Sequence, residues 1–511
     1  MTRPGGEPYS RRVNGSALAR PPAVSPRRAV FVLLAVAFAA RAIPLALTYA
    51  TPPVRDEKLF VAAANRVLDH TPYVTPPTGF DEAHYAPLHP LFMAGVLAIS
   101  NRSLVAVKFA QVILGVATVW LSYRIGRRLL RNDRAALAGA FAIALLPELI
   151  AFTHFVWTET LFTTLFAAGF LSLLRVAETR SRRDAAIAGA LLGAATLAKE
   201  IALPFLVMLL PWFVDIARPS RRRAAELFAI CMLACALVIA PVTLRNWLRY
   251  DRFMLVSTNI GFALQQNQNA FPAENYDWGR MEPRPPAAGI PVRARCTDAN
   301  IADRMRCEVR GGLAFMARHP ALVARRAVTK LAALWTPSNF LIRHLRARYY
   351  KPPPGPFATQ ILTTASTAAF IALSILAVAG LFASPAGAER RLTFALLIFY
   401  VIIHAVIFGM SRYRIPLLPI LFAYAGLALT APRATMRAIG RSRGNFAAAA
   451  AILVLMSAAW ARDLPHVLDV WRAPFGTGAV GELPPPPPEH PAKVRAGRRT
   501  QAAGADSQTL R

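Results

Sequence analysis

Apolar stretches of roughly 20 residues, the length at which a helix spans a bilayer, recur along this chain with short Arg-rich segments between them. No soluble fold can bury that many continuous runs, so the chain reads as an all-α polytopic membrane protein. Composition agrees: 55% of the 511 residues are hydrophobic, 17% are charged, and the mean hydropathy is +0.38. Disorder and an ordinary cytosolic fold are excluded. The formal net charge of +32 would suggest nucleic acid in a soluble chain. Here its position along the chain decides its meaning.

The first run, Ala29 to Ala50, follows a basic tail (1–28) and is too long for a signal peptide. Further runs are Leu104–Tyr123, Ala135–Phe152, Thr160–Val176, Ala185–Leu197, Ile201–Ile216, Ala225–Trp247, Ile361–Phe382, Leu392–Phe408, Ile415–Thr430 and Phe446–Trp460. About eleven transmembrane helices are expected, with a margin of about two either way. Pro87–Ser100 is apolar but short, and suits an interfacial or re-entrant helix. If it does not cross, every Arg-rich short loop falls on the side of the amino terminus, as the positive-inside rule requires. The expected topology is therefore amino terminus cytoplasmic and carboxyl terminus outside.

This topology divides the chain into the tail 1–28, the first helix 29–50, a first outer loop 51–102 with interfacial helices, helices 2–7 in 103–248, a large outer loop 249–360, helices 8–11 in 361–461, and a Pro-rich basic tail 462–511 expected to be disordered. Cys296 and Cys307 are the only cysteines expected outside, as either a disulfide or two free thiols. Cys231 and Cys235, one turn apart, read as packing residues.

Carboxylates gather at the outer ends: Asp56, Glu57, Asp81, Glu82, Glu148, Glu159 and Glu200, with Lys199 among them. Glu159 and the Lys199-Glu200 pair interrupt apolar stretches, where charge is costly without a partner. Asp56 opens a segment whose Leu59, Phe60, Ala63 and Val67 have helical spacing, which predicts an amphipathic surface helix. Asp56 suits either its N-cap or a base accepting a hydroxyl proton. On the same side, Arg412 and Arg414 flank Tyr413 in a short turn, and Arg245 ends helix 7. Outer arginines suit a phosphate ligand or snorkelling toward headgroups.

The order of several stretches resembles the GT-C membrane glycosyltransferases, within them glycosyltransferase family 39, which includes protein O-mannosyltransferases and the lipid A aminoarabinose transferase. The stretches are Arg55-Asp56-Glu57, His84-Tyr85-Ala86-Pro87-Leu88-His89-Pro90, Trp157-Thr158-Glu159, Arg245-Asn246-Trp247 continuing to Ser257-Thr258-Asn259, and Arg412-Tyr413-Arg414. The resemblance implies a polyprenyl-phosphate sugar donor and a glycan, lipid or protein acceptor beside membrane lipids. It implies catalytic roles for Asp56, Glu57 and Glu159, with Asp56 as base, and donor-phosphate binding by Arg412, Arg414, Tyr413, Arg245 and Lys199. His84, Tyr85 and Asn259 would contact the acceptor or its loop. Tyr85 stands where relatives often carry lysine, so Lys199 is the candidate substitute. No compact ligand motif demands a cofactor; a divalent metal on Asp56, Glu159 and His84 stays open.

The expected reaction is an inverting transfer at the outer face of a bacterial plasma membrane. A lipid-linked glycan polymerase or ligase is the nearest alternative, and a secondary transporter a more distant one, since no repeat with midplane charges is evident. Nucleic acid is not an expected partner.

Overall fold

The computed structural model describes residues 26–71, 83–270, 296–297 and 300–472, so the expectations for Asp81, Glu82 and the outer parts of both tails lie outside the described residues. The helices are α1 (Pro26–Thr48), α2 (Asp56–Leu68), α3 (Leu88–Ile99), α4 (Leu104–Leu130), α5 (Asp133–Ala144), α6 (Pro147–Phe152), α7 (Glu159–Thr179), α8 (Arg182–Ala198), α9 (Ala202–Met208) and α10 (Leu210–Ile216). They continue as α11 (Arg221–Tyr250), α12 (Asn259–Asn267), α13 (Ile301–Arg318), α14 (Pro320–Leu334), α15 (Phe340–Arg346), α16 (Pro356–Ala383), α17 (Ala388–Val406), α18 (Leu418–Thr430), α19 (Pro432–Gly440) and α20 (Arg443–Arg472). A 3-10 turn, Ser411–Leu417, leads into α18. Among the described residues there is no strand.

Each of the eleven apolar runs is helical, and among the described residues seven helices are long and apolar enough to cross a membrane: α1, α4, α7, α11, α16, the 3-10 turn with α18, and α20. The other four expected crossings are α8, α17 and two interrupted pairs, α5–α6 and α9–α10. Pro147 and Pro211 sit in the first turn of the second member of each pair, where proline is tolerated because its missing N–H has no helical partner. The α5 break leaves carbonyls unpaired inside the bundle, and Arg41 of α1 answers it: Nη1 donates to Ala144 O and to Ala37 O, both at 3.0 Å. The last helix runs to Arg472, beyond the expected end near Trp460.

Close helix crossings use small residues. Any Cβ on Gly189 or Gly193 of α8 would meet the carbonyls of Cys231 and Cys235 on α11, so the two cysteines mark a backbone-to-backbone contact of the small-xxx-small kind. Gly426 of α18 approaches Ala135 O of α5 in the same way.

The described parts of the 51–102 segment are pinned to one end of this bundle. Lys108 of α4 donates to Thr51 O at 2.7 Å and Tyr49 O at 3.4 Å, and Gln111 donates to Phe155 O at 2.9 Å. The Arg-rich turn after α4 lies at the far end of that helix, about 40 Å away at 1.5 Å per residue. The surface helix α2 buries Glu57, Phe60, Ala63 and Ala64. Its buried face is thus turned from the expected one, and Val67 points outward. The described parts of the 249–360 segment pack over the same end: α14 packs on α17 and the 3-10 turn, α15 on α6 and α16, and Thr258 N donates to Ala83 O at 2.8 Å. Cys296 and Cys307 form a disulfide that ties the approach to α13 onto that helix.

Candidate active site

Arg412 stands at the centre of the polar cluster. Its Nη1 donates to Asp56 Oδ2 at 2.9 Å, and its Nε lies 3.6 Å from Glu159 Oε1. Lys199 Nζ donates to the same Glu159 oxygen at 2.9 Å. Two carboxylates and two cations thus alternate along one line, drawn from the start of α2, the 3-10 turn, the start of α7 and the end of α8. Exposure is greatest at one end and least at Glu159: Asp56 is 44% exposed, Arg412 18%, Glu159 2% and Lys199 17%. Asp56 is the most open of the four, and Arg412 and Lys199 are each partly accessible.

Local structure puts each group there. Asp56 is the first residue of α2; the N-cap position is held by Arg55, at a positive φ of 50° and without a side-chain cap hydrogen bond, so Asp56 lies one residue inside the position considered for it. Glu159 opens α7, where the helix dipole favours negative charge. Lys199 follows Ala198 in an extended conformation that ends α8. The next residue, Glu200, turns away to accept from Ser257 Oγ and Asn259, so Asn259 fixes the outer loop and stands apart from the ion line.

Aromatic rings wall the line. Arg412 lies 5.4 Å from the Trp157 centroid, 5.9 Å from Phe340 and 5.2 Å from Tyr413, and Lys199 lies 4.5 Å above the Tyr413 face. Tyr413 itself stacks on His404 at 5.3 Å. Such rings hold a cation while keeping water from it, which strengthens every charge interaction nearby. Phe340 was not a sequence candidate; it carries no charge and lies in the loop segment farthest from any motif.

Arg414 corrects an expectation. It is fully buried, donates to both oxygens of buried Glu148 at 3.1 and 3.0 Å, and donates to Leu334 O and Thr336 O. Its guanidinium sits 3.6 Å from the Phe370 centroid. A donor phosphate cannot reach it without displacing Glu148, so Arg414 locks the turn instead. Glu57 is held by the backbone: Oε2 accepts from Val54 N at 2.6 Å and Oε1 from Val156 N at 2.8 Å, joining the loop after α1 to the loop between α6 and α7. Burial pushes its carboxyl up to about 7.

His84 is buried against Tyr85 at 4.5 Å and Phe262 at 5.1 Å, and burial pulls its imidazole down to about 4. Tyr85 also packs on Phe60 of α2 at 5.0 Å. These two support the loops around Asp56. Arg245, half-buried on α11, donates to Asn246 Oδ1 at 3.3 Å, and Asn246 holds Met254 O and Val256 O. For a metal the residues do not fit: among the described residues no group of three or more His, Cys, Asp or Glu is placed to hold one, and Glu159 is engaged by Lys199 and Arg412.

The sequence family described as dolichyl-phosphate-mannose-protein mannosyltransferase matches residues 84–244, and no curated protein matches the chain. The crystal structure of the Archaeoglobus fulgidus oligosaccharyltransferase in its apo form superimposes with a TM-score of 0.50 at 13% identity, over 89% of this chain and 56% of that one. The chain has the GT-C membrane-glycosyltransferase fold and resembles glycosyltransferase family 39. It spans little more than half the length of the archaeal enzyme. ArnT from Cupriavidus metallidurans bound to undecaprenyl phosphate is similar at 15% identity and a TM-score of 0.36, over 79% of this chain and 78% of that one. The S. cerevisiae Pmt1-Pmt2 complex bound to its sugar donor is similar at 17% identity and 0.38, over 49% and 39%. Within the GT-C fold the family match includes His84, Tyr85, Glu159 and Lys199 but stops short of Arg245 and leaves out Asp56 and Arg412.

Proposed function

We propose that this chain transfers a sugar from a polyprenyl-phosphate donor to an acceptor hydroxyl at the outer membrane face, with inversion and with Asp56 as the base. The observation that carries this reading is the line Asp56–Arg412–Glu159–Lys199 at the end of a GT-C bundle where two outer loops meet. The family match to dolichyl-phosphate-mannose-protein mannosyltransferases, between α3 and α11, supports the class of donor.

The chemistry is a single displacement. The acceptor oxygen attacks the anomeric carbon, its proton passes to Asp56, and the bond from that carbon to the phosphate oxygen breaks with its electron pair going to the lipid phosphate. Arg412, backed by Lys199, is the group to stabilise charge growing on that phosphate. A phosphate taking Arg412 Nη1 also leaves Asp56 Oδ2 available to the acceptor proton, so donor binding prepares the base. Glu159, buried and doubly paired, keeps both cations aimed.

Full-length protein in detergent, given a radiolabelled polyprenyl-phosphate sugar and a membrane extract as acceptor source, should release lipid phosphate and label the acceptor. Asp56→Asn should lower the rate by roughly 10²–10⁴-fold, the usual worth of a general base. Full activity in that variant would remove Asp56 from its role.

A further inference from the structure

Between Glu308 and Glu389 the chain carries no Asp or Glu but nine Lys or Arg. Four of them, Arg343, Arg346, Arg348 and Lys351, fall within nine consecutive residues. The apolar and aromatic members of this segment, including Phe340, Leu341, His344, Leu345 and Tyr350, are buried. What the segment turns outward is therefore almost entirely cationic.

The segment docks directly on the first outer loop. Tyr349 OH accepts from Arg55 Nε at 3.1 Å, and Lys351 N donates to Thr51 Oγ1 at 3.0 Å. Arg343 lies 4.4 Å from the Phe340 centroid, the same ring that Arg412 approaches, and both Arg343 and Arg55 act on His344 between them. Arg55, Arg343, Arg346, Arg348 and Lys351 thus form one basic rim immediately outside Asp56. Among the described residues no carboxylate pairs with Arg346, Arg348 or Lys351.

Arg55, Arg346, Arg348 and Lys351 are like charges on one short rim and repel one another, and the rim stands at the end of the bundle opposite the Arg-rich turns that orient a membrane protein. Topology gives no reason for cations here, and an anionic ligand does. Guanidinium forks match phosphate oxygens in pairs, while the ammonium of Lys351 adds a point charge at the edge.

We propose that this rim is a second anion site, distinct from Arg412, that binds phosphate esters presented at the membrane surface. Two sources carry that chemistry: the headgroup of an anionic phospholipid, or a phosphate borne by the acceptor as it approaches Asp56. In either case the rim holds the ligand beside the base.

The test uses the full chain and the variant R346Q/R348Q/K351Q, with R346K/R348K as the charge-keeping control, all checked for a single gel-filtration peak. In phosphatidylcholine nanodiscs, glycerol phosphate and inorganic phosphate are titrated. In discs that also hold phosphatidylglycerol, the lipid retained on the protein is measured by native mass spectrometry. Salt-sensitive binding of the soluble phosphates, weakened at least tenfold in the neutral variant and kept in the Lys control, assigns the site to a substrate phosphate. Preferential retention of phosphatidylglycerol, lost only in the neutral variant, assigns it to lipid. Equal behaviour of wild type and neutral variant toward all three probes overturns the site. Neither readout requires sugar transfer, so failure of the proposed reaction and failure of the rim remain separate results.

Discussion

Glu148→Gln is the sharpest test of how the Arg412 turn is held. The variant keeps side-chain shape but replaces one accepting oxygen with an amide that faces the Arg414 donors. Both partners are fully buried, so Arg414 keeps its charge with no carboxylate to balance it, only the remaining amide oxygen, Leu334 O and Thr336 O. Removing one member of a buried pair costs about 3–5 kcal/mol. Spread over the unfolding entropy of 511 residues, that is a fall of about 3–5 °C in the heat midpoint. Arg414→Met should cost more, because it strands a buried carboxylate and two carbonyls, the latter at about 1–3 kcal/mol each. Combining Glu148→Leu with Arg414→Met removes both charges and should be more stable than Arg414→Met alone. The assay is the monomer peak retained after heating in detergent, at one heating time for all variants, since membrane proteins unfold irreversibly. Folded Glu148→Gln should keep its affinity for undecaprenyl phosphate. An unshifted midpoint with lost lipid binding would return Arg414 to the donor site and refute the clamp.

Glu57 predicts a pH effect of definite sign. Its folded carboxyl titrates near 7 against an ordinary 4.5, so the folded protein holds a proton that the unfolded chain has released, and stability falls as pH rises across that window. Relative to Glu57→Gln, wild type should lose about 3 kcal/mol between those limits, read as heat midpoints from pH 4 to 8; a constant difference would contradict the burial of this carboxyl. Trp157→Leu removes one ring facing Arg412 and should slow donor consumption roughly 3- to 30-fold, the range of one cation–π contact. Gly189→Val drives a side chain into Cys231 O, and should abolish the folded peak in gel filtration while Ala190→Val does not. Serine at Cys296 and Cys307 should raise hydrogen exchange at the start of α13 and leave that of α4 and α7 unchanged.

The bundle was legible because hydropathy is a property of each stretch alone: all eleven runs are helices, and the short Pro87–Ser100 segment is the 12-residue α3. Breaks were less so. Pro147 announces locally that α5 must stop, but not that Arg41 arrives from a helix about 100 residues earlier to take up the freed Ala144 carbonyl. The site divides in the same way. Asp56 and Glu57 are neighbours of like chemistry, yet on a helix they point about 100° apart, and one faces Arg412 while the other is buried under two backbone N–H groups. Arg412 and Arg414 make the point most plainly. In an extended hairpin, residues two apart share a face, and both arginines would meet the same phosphate. In a 3-10 turn each residue advances about 120°, so two steps place them on different sides. Arg412 therefore reaches the rings and carboxylates at the open end, and Arg414 enters the bundle toward Glu148. Which arginine faces the ion line follows from the turn type, and α7 and α14 pack against that turn, contacts that no local motif encodes.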